Sequence, residues 1–326
     1  MTVSLVTGAD GFVGQHLVAE LLERGDEVVG AVRIEPPQLT TLSESTAARA
    51  TWITLELEER ESVSRVVDAV EADRVFHLAG LASVAESLDD PVAPLRVNVI
   101  GTLYVLEELA RRRAATGYDP AVLISGSSQV YGAAAARYRP LEEDHPLEPL
   151  SPYAVSKAAQ EMLGLQFFRA HGLSVIATRS FNHTGPGQRP SFVAAQLAEQ
   201  VAEIRAAGGA GRIQAGDVDV RRDFTDVRDV VRAYVDLTER GQVGRVYNVC
   251  SGRAYAIREL LETLAELAGV EVEIETDPTR LRRADIEEMV GSYARLAGDT
   301  GWAPTIDIRR SLSDLLEWQS AAQDGA

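Results

Sequence analysis

The chain has 326 residues, 45% hydrophobic and 25% charged, a globular composition long enough to bury one large or two smaller cores. Its formal net charge of −17, from 49 acidic against 32 basic residues, argues against nonspecific affinity for nucleic acid or anionic membranes. The single cysteine, Cys250, excludes an intrachain disulfide, and the five scattered histidines show no metal-ligand spacing, so no metal is expected.

Along the chain, short β-branched runs alternate with helical patterns. Strands are expected at Val3–Thr7, Glu27–Val32, Thr51–Leu55, Arg74–Leu78, Ala121–Ser125 and Ser174–Thr178. Between the first two, Gly11–Arg24 sets Val13, Leu17, Val18, Leu21 and Leu22 on one helix face and closes at Gly25. This alternation predicts an α/β fold, a Rossmann-like doubly wound parallel sheet with helices on both faces. After about residue 180 the texture changes. Asn182–Pro190 is rich in Gly and Pro and reads as loop. Helices are then expected at Phe192–Ala206, Asp229–Glu239, Ile257–Ala268 and Ile308–Gln319, with strands near 246–249 and 271–275. The expected division is a first domain over 1–180 and a smaller α/β substrate-binding lobe over 181–326, with segments near 213–250 returning to the first domain. The N-terminus runs straight into a strand, and no apolar run approaches the roughly 20 residues of a membrane span, so a soluble, cytoplasmic protein is expected.

The first chemical signal is Gly8-Ala9-Asp10-Gly11-Phe12-Val13-Gly14, between the first strand and the first helix. Glycines let the backbone turn tightly against a pyrophosphate, and the helix N-terminus offers free N–H groups and a favourable dipole. The competing explanation is a tight turn with close helix packing, but the strand–turn–helix context favours a dinucleotide. NAD-binding folds commonly end the second strand on a carboxylate for the ribose hydroxyls. Here that segment ends Val32-Arg33, and an arginine suits a 2′-phosphate. NADPH is therefore expected as cofactor, with NADH or NAD the alternative. Glu56 and Leu57, just after the third strand, are candidates for lining the adenine pocket.

Among the 32 basic residues there is one lysine, and it falls in Tyr153-Ala-Val-Ser-Lys157. Spacing of four puts both side chains on one helix face. An ammonium beside a phenol stabilises the phenolate and is expected to bring its pKa, normally near 10, toward the working range. The plain alternative is a surface pair, but a sequence that otherwise uses arginine has kept its one lysine here. Ser127 and Ser128 follow the fifth strand, at the sheet edge where ligands bind in such folds.

The glycine loop, His77-Leu78-Ala79-Gly80, Asn98-Val-Ile-Gly101-Thr102, Ser127…Tyr131-Gly132 and Tyr153-x3-Lys157 resemble the extended short-chain dehydrogenase/reductase superfamily, in its nucleotide-sugar epimerase/dehydratase branch. The resemblance covers nearly the whole chain. It implies Ser127, Tyr153 and Lys157 as catalytic residues, with Tyr153 the acid–base and Lys157 holding the nicotinamide ribose. It also implies Leu78, Ala79, Gly80 and Asn98 as cofactor contacts, and a homodimer packed through the Asn98–Arg111 and Tyr153 helices. Leu103, Leu106, Met162 and Leu165 are compatible with that packing or with their own sheet.

Dehydratases resembling this chain carry an acid just after the catalytic hydroxyl. Here Ser128 and Gln129 stand there, and glutamine exchanges no proton near neutral pH. Arg179-Ser-Phe-Asn182-His-Thr-Gly-Pro-Gly-Gln188, Gly216–Phe224 and Asp277–Asp285 are similar to segments of GDP-4-keto-6-deoxy-D-mannose reductases and GDP-mannose dehydratases. That likeness implies Ser128, Gln129, Asn182, Arg222 and Arg282 as substrate contacts, the two arginines clamping the diphosphate of a GDP-sugar. The competing explanation is an ion pair of either arginine with Asp223 or Asp285. The expected activity is NADPH-dependent reduction of the C4 ketone of a nucleotide-activated 4-keto-6-deoxyhexose, leading to GDP-D-rhamnose. The alternatives are a nucleotide-sugar epimerase with tightly bound NAD and, from another class, a non-enzymatic NAD(P)-sensing regulator.

Overall fold

The computed structural model describes residues 1–278 and 286–324. Its strands are β1 (Val3–Thr7), β2 (Glu27–Val32), β3 (Thr51–Thr54), β4 (Arg74–His77), β5 (Ala121–Ser127), β6 (Val175–Ser180), β7 (Asn182–Thr184), β8 (Ala210–Ala215), β9 (Arg221–Asp226), β10 (Val246–Val249), β11 (Ala254–Ala256), β12 (Glu271–Thr276) and β13 (Glu288–Met289). Its α-helices are α1 (Phe12–Glu23), α2 (Glu44–Ala47), α3 (Arg60–Ala69), α4 (Val84–Asp89), α5 (Thr102–Thr116), α6 (Pro152–His171), α7 (Val193–Ala206), α8 (Val227–Arg240), α9 (Ile257–Ala268), α10 (Ala294–Thr300) and α11 (Ile308–Asp324).

Seven parallel strands form the main sheet in the order β10-β6-β5-β4-β1-β2-β3. Strands covered on both faces read as nearly continuous apolar runs, and β1 and β2 are buried along most of their length. On one face, Leu17, Val18 and Leu21 of α1 meet Val230, Val231 and Tyr234 of α8. On the other, Val63 and Val66 of α3 pack with Leu106 and Leu109 of α5 and Phe167 of α6. Leu106 is 1% exposed and belongs to this core, so it is not available for packing between subunits. Met162, at 64%, faces outward.

A second core lies under α7, α9 and α11, where Leu197, Val201, Leu260, Leu264, Leu312 and Leu316 close around β8 and β9. The return of the chain to the large sheet is narrower than the expected 213–250. It starts with α8 at Val227 and runs to β10, and α10 with Trp302 packs back onto the same core later, whereas β8 pairs with β12, and β9 pairs with β7, β11 and β13. The stretch expected to be loop after residue 181 in fact opens with β7, because its backbone finds a partner in β9. Leu95–Gly101 form a π-helix running straight into α5. Such wide turns recur at functional sites, and this one carries Asn98.

Candidate active site

β1 and β4 are neighbours, while β2 and β3 extend the sheet one way and β5, β6 and β10 the other. At such a reversal the carboxyl ends of the strands leave a crevice. Gly8 leaves β1 at φ +67°, and a Cβ there would lie 2.9 Å from the Ala79 backbone. A Cβ on Gly14 would collide with the Gly8 carbonyl. Gly11 caps α1 without a side-chain hydrogen bond, so the N–H groups of Phe12, Val13 and Gly14 have no acceptor from the helix or its cap. Backbone donors, dipole and missing Cβ atoms together make a cradle that fits a dinucleotide pyrophosphate.

Gln15, one turn into α1, donates to the Asp10 carbonyl (2.9 Å) and accepts from the Thr40 and Thr41 N–H groups (2.8 and 2.9 Å). It thereby bolts the segment beyond β2 to the glycine loop. Arg33, the first residue after β2, is exposed and has no hydrogen bond or ion pair among the described residues. Leu57 is buried against Gly101, where a Cβ would come within 3.0 Å, and the Glu56 carboxylate accepts from the Glu58 N–H (3.3 Å). On the far wall, Leu78–Gly80 follow β4, and the Ala79 N–H donates to Thr7 Oγ1 (3.1 Å).

Asn98, expected to touch the cofactor, has its side chain bonded to the protein in this structure. Its amide accepts from Leu81 N–H (2.8 Å) and donates to the Leu81 carbonyl (3.1 Å) and to Ser156 Oγ (2.9 Å). Fully buried and with both donors occupied, its side chain holds the wall in place. Gly80 makes room for it, since a Cβ there would lie 2.6 Å from Asn98 Oδ1.

Ser127, Tyr153 and Lys157 come together at the end of β5. Ser151 caps α6 by accepting from Ala154 N–H (3.1 Å), Pro152 takes the first turn, and Gly172 ends the helix in the left-handed region. This fixes the register that brings the Tyr153 phenol to the end of β5, beside the Ser127 hydroxyl. Lys157 Nζ donates to the Ser125 carbonyl and to Gln160 Oε1, both at 2.8 Å. The electrostatics differ from expectation. Burial dominates and pushes the Tyr153 phenol up to about 12, opposed by the neighbouring Ser127 hydroxyl and reinforced by Tyr234. Burial likewise lowers Lys157 to about 8. Burial, rather than the ammonium, sets the phenol's direction, and the lysine's own bonds point to Ser125 and Gln160. A phenol held protonated is nevertheless the form that can give a proton away.

On the substrate side, Asn182 of β7 and Gln129 are half-buried, and neither side chain has a hydrogen-bond partner among the described residues. Ser128 is buried beside Ser127. Arg222 of β9 is half-buried and donates to the Arg221 carbonyl (2.8 Å). The neighbouring Asp223 is raised to about 6 by burial, and its carboxylate is taken up by Ser251 N–H (2.8 Å), Ser251 Oγ (2.6 Å) and Gly252 N–H (3.0 Å). Arg282 and Asp285 lie outside the described residues. Arg179, at the head of the Arg179–Gln188 motif, forms a buried bidentate pair with Glu161 of α6 (2.7 and 2.8 Å). Phe12 stacks on His183 at 6.0 Å, and His16 bonds the Pro186 carbonyl at 2.9 Å, so the start of α1 touches the segment after β6 directly.

Sequence reasoning passed over Gln15 and Gln160 and gave Thr102 no role beyond its motif, each a buried polar side chain inside a helix. The signal that could have found them is a polar residue on an otherwise apolar face: Gln160 follows Lys157 by three positions, on the same side of α6.

The chain matches the GDP-mannose 4,6 dehydratase family over residues 5–315. It is 41% identical over 326 residues to GDP-6-deoxy-D-mannose reductase of Pseudomonas aeruginosa, covering 98% of each chain. It is 30% identical over 316 residues to UDP-glucose 4-epimerase of Mycolicibacterium smegmatis, covering 97% of each. Among solved structures, RMD from Pseudomonas aeruginosa complexed with NADPH superposes with a TM-score of 0.83 at 39% identity, over 99% of this chain and 100% of that one. UDP-glucose 4-epimerase from Thermotoga maritima with UDP-glucose gives 0.87 at 28% identity, with the same coverage. With sequence likeness over nearly its whole length and the same fold behind it, this chain belongs to the GDP-mannose 4,6-dehydratase family.

Proposed function

We propose that the protein is an NADPH-dependent reductase of the C4 ketone of a nucleotide-activated 4-keto-6-deoxyhexose, GDP-4-keto-6-deoxy-D-mannose, yielding GDP-D-rhamnose. The likeness to a GDP-6-deoxy-D-mannose reductase supports the substrate class. The observation that carries the choice among the family's activities is Gln129, an amide where dehydration needs an acid, beside an intact Ser127–Tyr153–Lys157 set.

The glycine cradle and the Leu78–Gly80 wall would hold NADPH, Arg33 would meet its 2′-phosphate and Lys157 its nicotinamide ribose. NADPH supplies the hydride. Everything else is work for the chain's own residues. Ser127 Oγ and the Tyr153 phenol are neighbours, and both would donate to a ketone oxygen as it becomes an alkoxide. Tyr153 then gives its proton to that oxygen. Lys157 keeps one N–H beyond its bonds to Ser125 and Gln160, available to a ribose hydroxyl. Asn182, Gln129 and Arg222, with Arg282, would orient the sugar and grip its diphosphate. The lobe built on β7–β9, β11–β13, α7, α9 and α11 is the substrate side of this reading. Exposed Leu95, Ile100, Val155 and Met162 support a homodimer through the π-helix and α6. None of the described helices is long and apolar enough to cross a membrane, and a lone buried Cys250 suits a reducing cytoplasm.

Incubation with GDP-4-keto-6-deoxymannose and NADPH should consume both, and NMR of the product should show a 6-deoxyhexose bearing a C4 hydroxyl. Lack of NADPH consumption with this sugar would remove the proposal. An epimerase instead often carries cofactor through purification, which the absorbance of the purified protein reveals.

A further inference from the structure

Behind Lys157 lies a hydrogen-bond chain whose proton positions can be assigned by counting donors. Lys157 Nζ is only a donor, so Gln160 faces it with Oε1 (2.8 Å) and must turn its NH2 the other way, to Thr102 Oγ1 (2.8 Å). The Thr102 hydroxyl has one proton, which goes to the Asn98 carbonyl (2.6 Å). Its contact with His77 Nε2 (2.9 Å) therefore requires that nitrogen to be the donor. Nδ1 is then the acceptor and takes the Thr7 hydroxyl proton (2.9 Å), leaving Thr7 Oγ1 to accept from Ala79 N–H (3.1 Å). The neutral ring this needs agrees with burial holding His77 down to about 3. Gln160, Thr102, His77 and Thr7 are all fully or almost fully buried, and every hydrogen bond of the chain has one direction only.

We propose that Gln160 is a positioning residue of this active site: locked by Thr102 and His77, its amide oxygen fixes the Lys157 ammonium relative to the glycine loop and the Leu78–Gly80 wall. The network ties the lysine of α6 to Thr7 at the end of β1 and to Ala79 after β4, the two walls of the cofactor crevice. The amide is suited to this because it is neutral. It accepts from the ammonium without drawing it into an ion pair, so the remaining N–H stays available to a ligand. Around the ammonium, the titratable groups are His77 from β4 and Tyr153 from α6, with Tyr234 of α8 acting on the phenol. β5 and the π-helix with α5 contribute Ser125, Asn98 and Thr102, which do not titrate.

The inference rests on the assignment of Lys157 to the reductase site, but its test reads the lysine whatever the sugar proves to be. Because the chain has one lysine, protein labelled with ¹³Cε-lysine gives one side-chain resonance, whose titration reports Lys157 without assignment. Gln160→Glu should move that titration up by about one pH unit or more, since an adjacent carboxylate favours the ammonium. Gln160→Met should move it down, since an acceptor for the charged form is lost. The high-pH limb of kcat should shift in the same opposite senses, with kcat falling more than the sugar KM rises. Coincident lysine titrations in the wild type and both variants would overturn the proposal, as would shifts in one common direction. Should either Gln160 variant fail to fold, Thr102→Val and Thr102→Ser decide. The valine frees the amide to turn its NH2 toward the ammonium and should lower the titration, while the serine restores the wild-type value. Wild-type behaviour of both Thr102 variants would sink the idea.

Discussion

The two walls of the crevice treat their polar groups in opposite ways. On the cofactor side, the polar side chains of Thr7, Gln15, His77, Asn98, Thr102 and Gln160 are buried and bonded to other parts of the protein. On the substrate side, the Asn182 and Gln129 amides sit half-buried with no hydrogen-bond partner among the described residues. A wall whose buried polar side chains are bonded to one another is rigid and presents its backbone donors and the Lys157 ammonium to a ligand in one pose. A wall with open donors is where a substrate's hydroxyls can supply the partners, and where relatives acting on different sugars can differ without disturbing the fold.

The largest expected effect falls where the two walls meet. Tyr153→Phe and Lys157→Arg should each lower kcat by about a thousandfold, the scale of a lost positioned acid. NADPH affinity, followed by fluorescence titration, should stay near wild type for Tyr153→Phe. Equal turnover in Lys157→Arg would mean that charge alone is enough and that the geometry of the rigid wall is irrelevant. Next comes pH. Burial holds Lys157 at about 8, so kcat/KM should fall roughly tenfold per pH unit above that value. Stability should not follow. The folded lysine binds fewer protons than the unfolded one between about pH 8 and 10.5, so its contribution to stability rises with pH across that window. Tyr153 acts oppositely only above about pH 10, where the unfolded phenol ionises first. Thermal unfolding measured beside the rate profile separates the two trends.

Smaller effects belong to the outer contacts. Arg33→Ala should raise the NADPH KM about tenfold, the scale of one charge-assisted bond, while leaving the NADH KM unchanged. Asn182→Ala should raise the sugar KM by a similar factor of about ten, with kcat and cofactor KM little altered. If Asn182→Ala instead lowered kcat alone, the substrate wall would be no more open than the cofactor wall, and the contrast between them would fail.

What could be read beforehand from the amino acids follows the same division. β1, β2, α9 and β10 were legible to the residue, because strands buried on both faces and an amphipathic helix leave continuous signatures. The glycine loop and Tyr153-x3-Lys157 were legible because close backbone approach and helix spacing each demand particular residues. β7 was not, since Asn182–Thr184 becomes a strand only by pairing with β9 some 40 residues later. The hydrogen-bond partners of Asn98 and Gln160 were hidden for a related reason. Whether a buried amide touches ligand or protein depends on partners from other elements, here Leu81, Ser156, Thr102 and Lys157. The phenol's pKa was misjudged because sequence spacing reports that an ammonium is near, but not that burial outweighs it.

Net hydride transfer to the sugar's C4 is the central claim about this molecule. It is tested most directly by reacting GDP-4-keto-6-deoxymannose with NADPH carrying deuterium at the transferable C4 position, counting cofactor oxidised and locating the label by NMR. One NADPH consumed per sugar, with deuterium at C4 of the product, is the predicted result. Conversion of the sugar without net oxidation of NADPH, or product lacking the label at C4, would contradict it.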